Sequence, residues 1–143
     1  MNKACTISAL FFMILLNAQQ QDVKKTIEIF FKGFHARDTL TMKSVCSNSL
    51  ILQSIAQNSK GNTLTTESIH KFYTSIASIP LTVRFEERLL DHTIQIDGTM
   101  AHVWTPYELY VNGKLSHKGV NSFTLFLNDN LWKIIHLIDT RRK

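Results

Sequence analysis

Six histidines are the side chains best suited to proton chemistry near neutral pH: His35, His70, His92, His102, His117 and His136. None has the close spacing of a zinc site, such as two on one helical face with an acid between them, so no metal is expected. The stretch from Glu108 to Gly119, ELYVNGKLSHKG, is more informative. Asn112-Gly113 signals a two-residue hairpin, because such turns need residues that accept positive φ. Counting back from the turn sets Val111 opposite Lys114, Tyr110 opposite Leu115 and Glu108 opposite His117. A carboxylate facing an imidazole has two readings. It is a surface ion pair, worth little, or both groups enter a pocket. In the pocket, Glu108 would orient the ring and favour its charged form while burial opposed that, and His117 could bind an acidic group or pass protons. Glu108 and His117 are therefore the catalytic candidates.

The same register continues along the hairpin, with Trp104 facing Asn121 and His102 facing Phe123. A turn at Asn128-Asp129-Asn130 places Phe123, Leu125 and Leu127 on one face with Trp132, Ile134, His136 and Ile138. That face is aromatic and apolar, so it is expected to be the covered one. The other carries Tyr107, Ser122, Thr124, Lys133 and Asp139. Pro106 cannot donate to a ladder, and one extra residue there would turn Tyr107 inwards and Trp104 outwards. The expected ligand pocket thus comprises Trp104, Tyr107, Glu108, His117, Asn121 and His136. No Gly-rich phosphate loop, nucleophile elbow or Cys/His nucleophile motif is present, and no cofactor is expected. Gly119 stands alone and marks a bulge or a close backbone approach.

The elements that must position these groups begin with Asp22, an N-cap, followed by Val23, Ile27, Phe30, Phe31 and Phe34 at helical spacing. This helix ends near Arg37, and Asp38 caps a short second helix to about Val45. SLILQSIAQ reads as a strand and NSKGNT as a turn. A third helix starts at Thr65 or Thr66, carries Ile69, Phe72, Tyr73, Ile76 and Ile79 as its stripe, and stops at Pro80. From Leu81 the period changes to alternation, and Asp97-Gly98, Asn112-Gly113 and the 128–130 turn divide four strands: 82–96, 100–111, 114–127 and 131–140. Helices gathered before a long antiparallel sheet indicate an α+β fold. Strands this long must curl, and a curved sheet wrapped around the N-terminal helices encloses a cone-shaped pocket.

With 143 residues, 44% hydrophobic and 19% charged, the chain suits one globular domain. Its first residues lie outside that domain. Met1-Asn2-Lys3 is a short basic start, and ACTISALFFMILLNA runs uncharged to Ala18. This pattern describes a signal peptide over residues 1–18, too short for a spanning helix of roughly 20 residues, with a domain over 19–143. Cys5 would leave with the leader, so Cys46 has no internal partner and is expected to be buried and inert. The formal charge of +5 falls to 5 − 1 = +4 without Lys3. The basic residues are scattered apart from Arg141-Arg142-Lys143, so no nucleic-acid partner is expected, and no membrane partner once the leader is cut.

Four segments carry a family resemblance: FFKGFHARDTLTMKSVC, AHVWTPYELYVNG, SHKGVNSFTLF and LWKIIHLIDTRR. With the order of elements, they resemble the nuclear transport factor 2-like (NTF2-like, SnoaL-like, formerly cystatin-like) superfamily over nearly all of 19–143. The last three are similar to a bacterial branch of small exported proteins, some bearing a lumazine-binding label. The resemblance implies the cone fold but no single reaction, because the superfamily holds isomerases, dehydratases, cyclases, binders and silent dimer modules. Its isomerases use an aspartate base with a tyrosine and a protonated acid. Asp91 and Asp97 match no such set by their place in the sequence. Two functions follow as expectations. One is an exported domain that binds a small, partly apolar molecule or dimerises through the convex sheet face. The other is a hydro-lyase or isomerase using His117 and Glu108.

Export to the periplasm or the medium gives the first prediction. The native protein should begin near Gln19, and mass spectrometry that finds an intact Met1 or an acylated cysteine refutes it.

Overall fold

The computed structural model describes the backbone of residues 3–59 and 61–143, with side chains from Asn17 onwards except those at 58 and 60. The leader expected over 1–18 therefore lies almost wholly outside the described side chains. Among the described residues, no helix is long and apolar enough to cross a membrane. The described residues form three helices and seven strands in the order α1 (Lys3–Ala36), α2 (Thr39–Ser44), β1 (Cys46–Asn58), β2 (Gly61–Glu67), α3 (Ile69–Ala77), β3 (Phe85–Leu89), β4 (Thr93–Asp97), β5 (Met100–Val111), β6 (Lys114–Asn128) and β7 (Leu131–Arg141). The strands form one curved, unclosed sheet in the order β2-β1-β7-β6-β5-β3, with β4 also pairing β5. All pairings are antiparallel except β1 with β7. This is the expected α+β cone.

Several boundaries differ from expectation. Asp22 starts no helix, because α1 runs through it, and its carbonyl accepts a hydrogen bond from the Thr26 hydroxyl (3.0 Å). Asp38 does cap α2, accepting from the amides of Leu40 and Thr41 at 3.0 Å each. The residues 61–67 form β2 rather than a turn and a helix start, and α3 begins only at Ile69. β2 is an edge strand, exposed along almost its whole length, so it has no burial alternation to betray it. The expected strand 82–96 is two, β3 and β4, which lie end to end along β5. The break falls at residues 90–92.

The core lies between α1 and the concave face. Val23, Ile27, Phe30 and Phe31 are buried on one side of α1. Phe30 and Phe31 meet Phe123 edge-on, with ring centroids 6.0 and 6.1 Å apart. Ala101, Val103, Phe123, Leu125 and Ile134 complete the floor at 0% exposure, each a residue the sheet aims inwards. Cys46 is buried too, and burial pushes its thiol up to about 11, so it stays protonated and inert.

Two extra residues decide the register. The hairpin starts as expected, with Val111 opposite Lys114 and Tyr110 opposite Leu115, but the next pair is Leu109 with His117. Ser116 is the unpaired residue, a β-bulge in β6. Beyond it Glu108 pairs with Lys118, Tyr107 with Gly119, Thr105 with Asn121 and Val103 with Phe123. β7 repeats the device: Leu125 pairs with Ile134, Thr124 with His136, and Ile135 is skipped. The expected concave face is therefore corrected at both places. Trp104 and His136 turn to the convex side, Tyr107, Leu137 and Asp139 turn inwards, and His117 stays on the inner face as expected. Trp104 there is 45% exposed, on the same face as Met100 and Phe126.

Gly119 is required by the floor. A Cβ on it would stand 1.7 Å from the Thr140 carbonyl oxygen and 3.0 Å from Cε1 of Tyr107. Backbone blocks the first contact, so nothing flexible can yield. Gly119→Ala is expected to destabilise the domain by roughly 3 kcal/mol or more, read as a lowered urea midpoint. An unchanged midpoint refutes the close approach.

Candidate functional site

The cone holds a cavity of about 250 Å³, at the small end of ligand-binding sizes. Phe30, Phe31 and Phe34 of α1, Phe72 and Ile76 of α3, and Leu52, Leu109 and Leu137 of the sheet supply an apolar wall. Glu87, Asn121, His117, Asp139, Arg141, Ser54 and Tyr107 supply the polar groups. Sheet register explains their grouping. Thr105, Asn121, Asp139 and Ser54 form one rung across β5, β6, β7 and β1, and Glu87, Leu109 and His117 form another across β3, β5 and β6.

Glu87 is the chemically unusual member. It alternates with Phe85 and Leu89 on β3, which places a carboxyl on the apolar side of the strand. Curvature brings it to β6, where the Asn121 amide nitrogen donates to its Oε1 at 2.6 Å. Among the described residues no other group donates to this carboxyl. Burial pushes its pKa up to about 7. The Asn121 hydrogen bond opposes the rise, the nearby Asp139 carboxylate adds to it, and the Arg141 guanidinium works against it. Glu87 therefore sits near half protonation at neutral pH.

Asp139 is held differently. Arg141 Nε donates to its Oδ2 at 2.8 Å, and the Tyr107 hydroxyl, 3.2 Å from Oδ2, lies also 3.0 Å from the Thr140 carbonyl. Ser54 Oγ donates to Oδ1, and Arg141 Nη2 reaches Ser54 Oγ at 2.9 Å. Burial, with Asp139 next, keeps the Tyr107 phenol well above its ordinary range, so it serves as a donor and spacer. Two carboxyls of one cavity thus occupy opposite settings: one in an ion pair, the other among phenylalanine rings. Such contrast marks the division between acid–base and supporting groups in active sites.

Of the six expected pocket residues, Tyr107, His117 and Asn121 line the cavity, and Trp104, Glu108 and His136 do not. Glu108 faces away from His117 because of the Ser116 bulge, and it accepts from the Tyr110 hydroxyl at 2.8 Å. His136 bonds Gln53 Oε1 through Nε2 at 3.0 Å on the convex side. With Glu108 turned away, the rise in the His117 pKa that a facing carboxylate would bring is missing, and the opposing effect of burial prevails. Burial lowers it, the Arg141 guanidinium lowers it further, and Asp139 opposes. The ring is neutral at pH 7, edge-on to Tyr107 at 5.9 Å between centroids. Glu87, Asp139, Arg141 and Ser54 were missed by sequence reasoning. The readable signal was the FEERL alternation, which sets a carboxylate in an apolar row. Among the described residues, no three His, Cys, Asp or Glu side chains are grouped to hold a metal ion.

Solved structures share this architecture. The β subunit of a candidate aromatic-ring-hydroxylating dioxygenase from Novosphingobium aromaticivorans superposes with a TM-score of 0.73 at 7% identity, over 90% of this chain and 92% of that one. An NTF2-like protein from Cytophaga hutchinsonii gives 0.71 at 14% identity, over 87% and 98%. A candidate dehydratase of the NTF2-like family from Streptomyces avermitilis gives 0.67 at 13% identity, over 89% and 98%. No protein-family model matches the sequence. No curated protein matches it either. The fold is NTF2-like, and identities this low carry the fold alone.

The Glu87 environment has a consequence for stability. An ordinary glutamate titrates at 4.5, and Glu87 in the folded domain titrates at about 7. Between those values the folded state holds a proton that the unfolded chain has released, so stability falls as pH rises through this window and is level above it. Glu87→Gln removes the dependence. The variant should gain on wild type by roughly 2–3 kcal/mol between pH 5 and pH 8, read by denaturant melts at both. A gain independent of pH refutes the raised pKa.

Proposed function

We propose that this domain catalyses acid–base chemistry on a small, partly apolar molecule, of the hydro-lyase or isomerase class, with Glu87 as the proton-transferring group. The observation that carries this reading is a carboxyl inside an aromatic cavity held by a single donor, Asn121, where burial pushes its pKa up to about 7. A general acid or base works best when its pKa lies near the working pH, because both forms are then available.

The groups divide the work as follows. Ionised Glu87 takes a proton from a carbon next to a substrate carbonyl: the C–H bond breaks, an O–H bond forms, and the electron pair moves towards the carbonyl oxygen. Protonated Glu87 then returns the proton, to another carbon in an isomerisation or to a departing hydroxide, as water, in an elimination. Asn121 donates to the carboxylate before the proton is taken and again after it is returned. Neutral His117, two strands from Glu87 across Leu109 and so roughly 10 Å away by strand spacing, offers a ring N–H towards the developing oxyanion. Asp139, locked by Arg141, Ser54 and Tyr107, keeps the far wall rigid and its charge paired. The Streptomyces avermitilis structure, described as a candidate dehydratase, supports the reaction class by analogy of fold.

The test needs no prior substrate. The protein is incubated in D2O with a panel of small enones, β-hydroxy ketones and aryl ketones, and deuterium uptake and product formation are followed by NMR. Wild type should exchange an α-proton with a rate that rises with pH through about 7 as Glu87 ionises. Glu87→Gln should lose roughly 100-fold or more. Equal rates in the two proteins, or no exchange above buffer across the panel, refute the proposal.

A further inference from the structure

Glu87 lies on an edge strand, and an edge strand holds its position poorly unless its free backbone groups find partners. Its backbone amide has one outside the sheet. The N–H of Glu87 donates to Nε2 of His35, in the last turn of α1, at 3.0 Å. An amide pointing at a ring nitrogen requires that nitrogen to be unprotonated, so His35 is neutral and carries its proton on Nδ1. The ring is packed among Phe31, Phe34 and Phe85, with centroids 6.0, 5.6 and 6.4 Å away.

A second side chain, just beyond the end of α1, holds the approach to β3. Arg37 Nε donates to the Ile79 carbonyl at 3.0 Å, and its Nη2 donates to the carbonyls of Pro80 and Val83. Its guanidinium also covers the Phe85 ring, 5.0 Å from the centroid. The end of α1 therefore grips the connection between α3 and β3 through donors from Arg37, and β3 itself through an acceptor from His35. Both grips bear on the strand that presents Glu87.

We propose that neutral His35 is the positioning residue for the Glu87 carboxyl, anchoring the edge of β3 so that the carboxyl stays inside the aromatic cavity. The inference rests on the reading of Glu87 as the acid–base group, but it acts through the backbone and touches no substrate. Without the anchor, the Glu87 segment moves off α1, water reaches the carboxyl, and the desolvation that raises its pKa is lost.

The experiment reads Glu87 and His35 directly. In wild type at pH 7, long-range 1H–15N spectra should show His35 as the Nδ1–H tautomer. An Nε2–H tautomer or an imidazolium overturns the proposal. His35→Phe keeps a ring against its aromatic neighbours and removes the acceptor. It should speed amide exchange at Glu87 by about 10-fold or more relative to Leu109, and 13C titration should show the Glu87 midpoint moving down towards the ordinary glutamate value. His35→Gln, which keeps an acceptor oxygen, should restore part of both. Unchanged exchange and midpoint in His35→Phe, with or without a lower melting temperature, overturn the proposal. The ketone assay can fail while these readouts hold, so the loss of one reading is distinguishable from the loss of the other.

Discussion

A β-strand sends successive side chains to opposite faces, and only an added residue changes which set points inwards. The interior of this domain depends on two such additions, Ser116 in β6 and Ile135 in β7. Without the first, Val103, Thr105, Tyr107 and Leu109 of β5 would turn outwards and Trp104 would turn in. Without the second, Asp139 would leave the cavity and Ile138 would enter it. Bulges also increase local twist, which helps bend the sheet until Glu87 of β3 meets Asn121 of β6. The apolar floor and the polar wall therefore share one geometric origin.

Much of the architecture was legible because it rests on period and turn chemistry. Phe30, Phe31 and Phe34 announced the helix face, and Asn112-Gly113, with φ of 52° and 77°, formed the expected turn. The cavity was less legible. A bulge has no characteristic composition, and Ser116 and Ile135 look like any strand residues. Counting register past them assigned Trp104 and His136 to the wrong face and paired Glu108 with His117. Tyr107 was placed correctly only by the alternative that allowed a bulge, though the inserted residue lies on the partner strand rather than at Pro106. Glu87 was hidden for another reason. Its neighbours Glu86 and Arg88 form a surface ion pair at 2.8 Å, so EER reads as a solvated stretch although every second residue points inwards.

The energetics of the cavity pull against one another. Burying Glu87 among phenylalanines costs stability at neutral pH, and the sheet offsets only part of it with one amide hydrogen bond. Asp139 is satisfied by an arginine, a serine and a tyrosine, and so adds rigidity without strain. The two carboxyls therefore differ, with a paired charge on the β7 side and a buried carboxyl with a single donor on the β3 side.

The sheet order has a further consequence, for the route by which the chain reaches this state. β7 comes last in chain order yet lies in the middle, joining the β1–β2 hairpin to the β3–β6 meander. Its parallel partner β1 is far away in sequence: Ser54 and Asp139, which share a rung, are 85 positions apart. Contacts of such separation form late and slowly, because loop closure must come before any of them stabilises the chain. Until β7 is made, β1 has one open side and the meander has another. A nascent chain can therefore build hairpins early, but it can assemble neither the core nor the cavity. Folding of this domain is gated by a single strand.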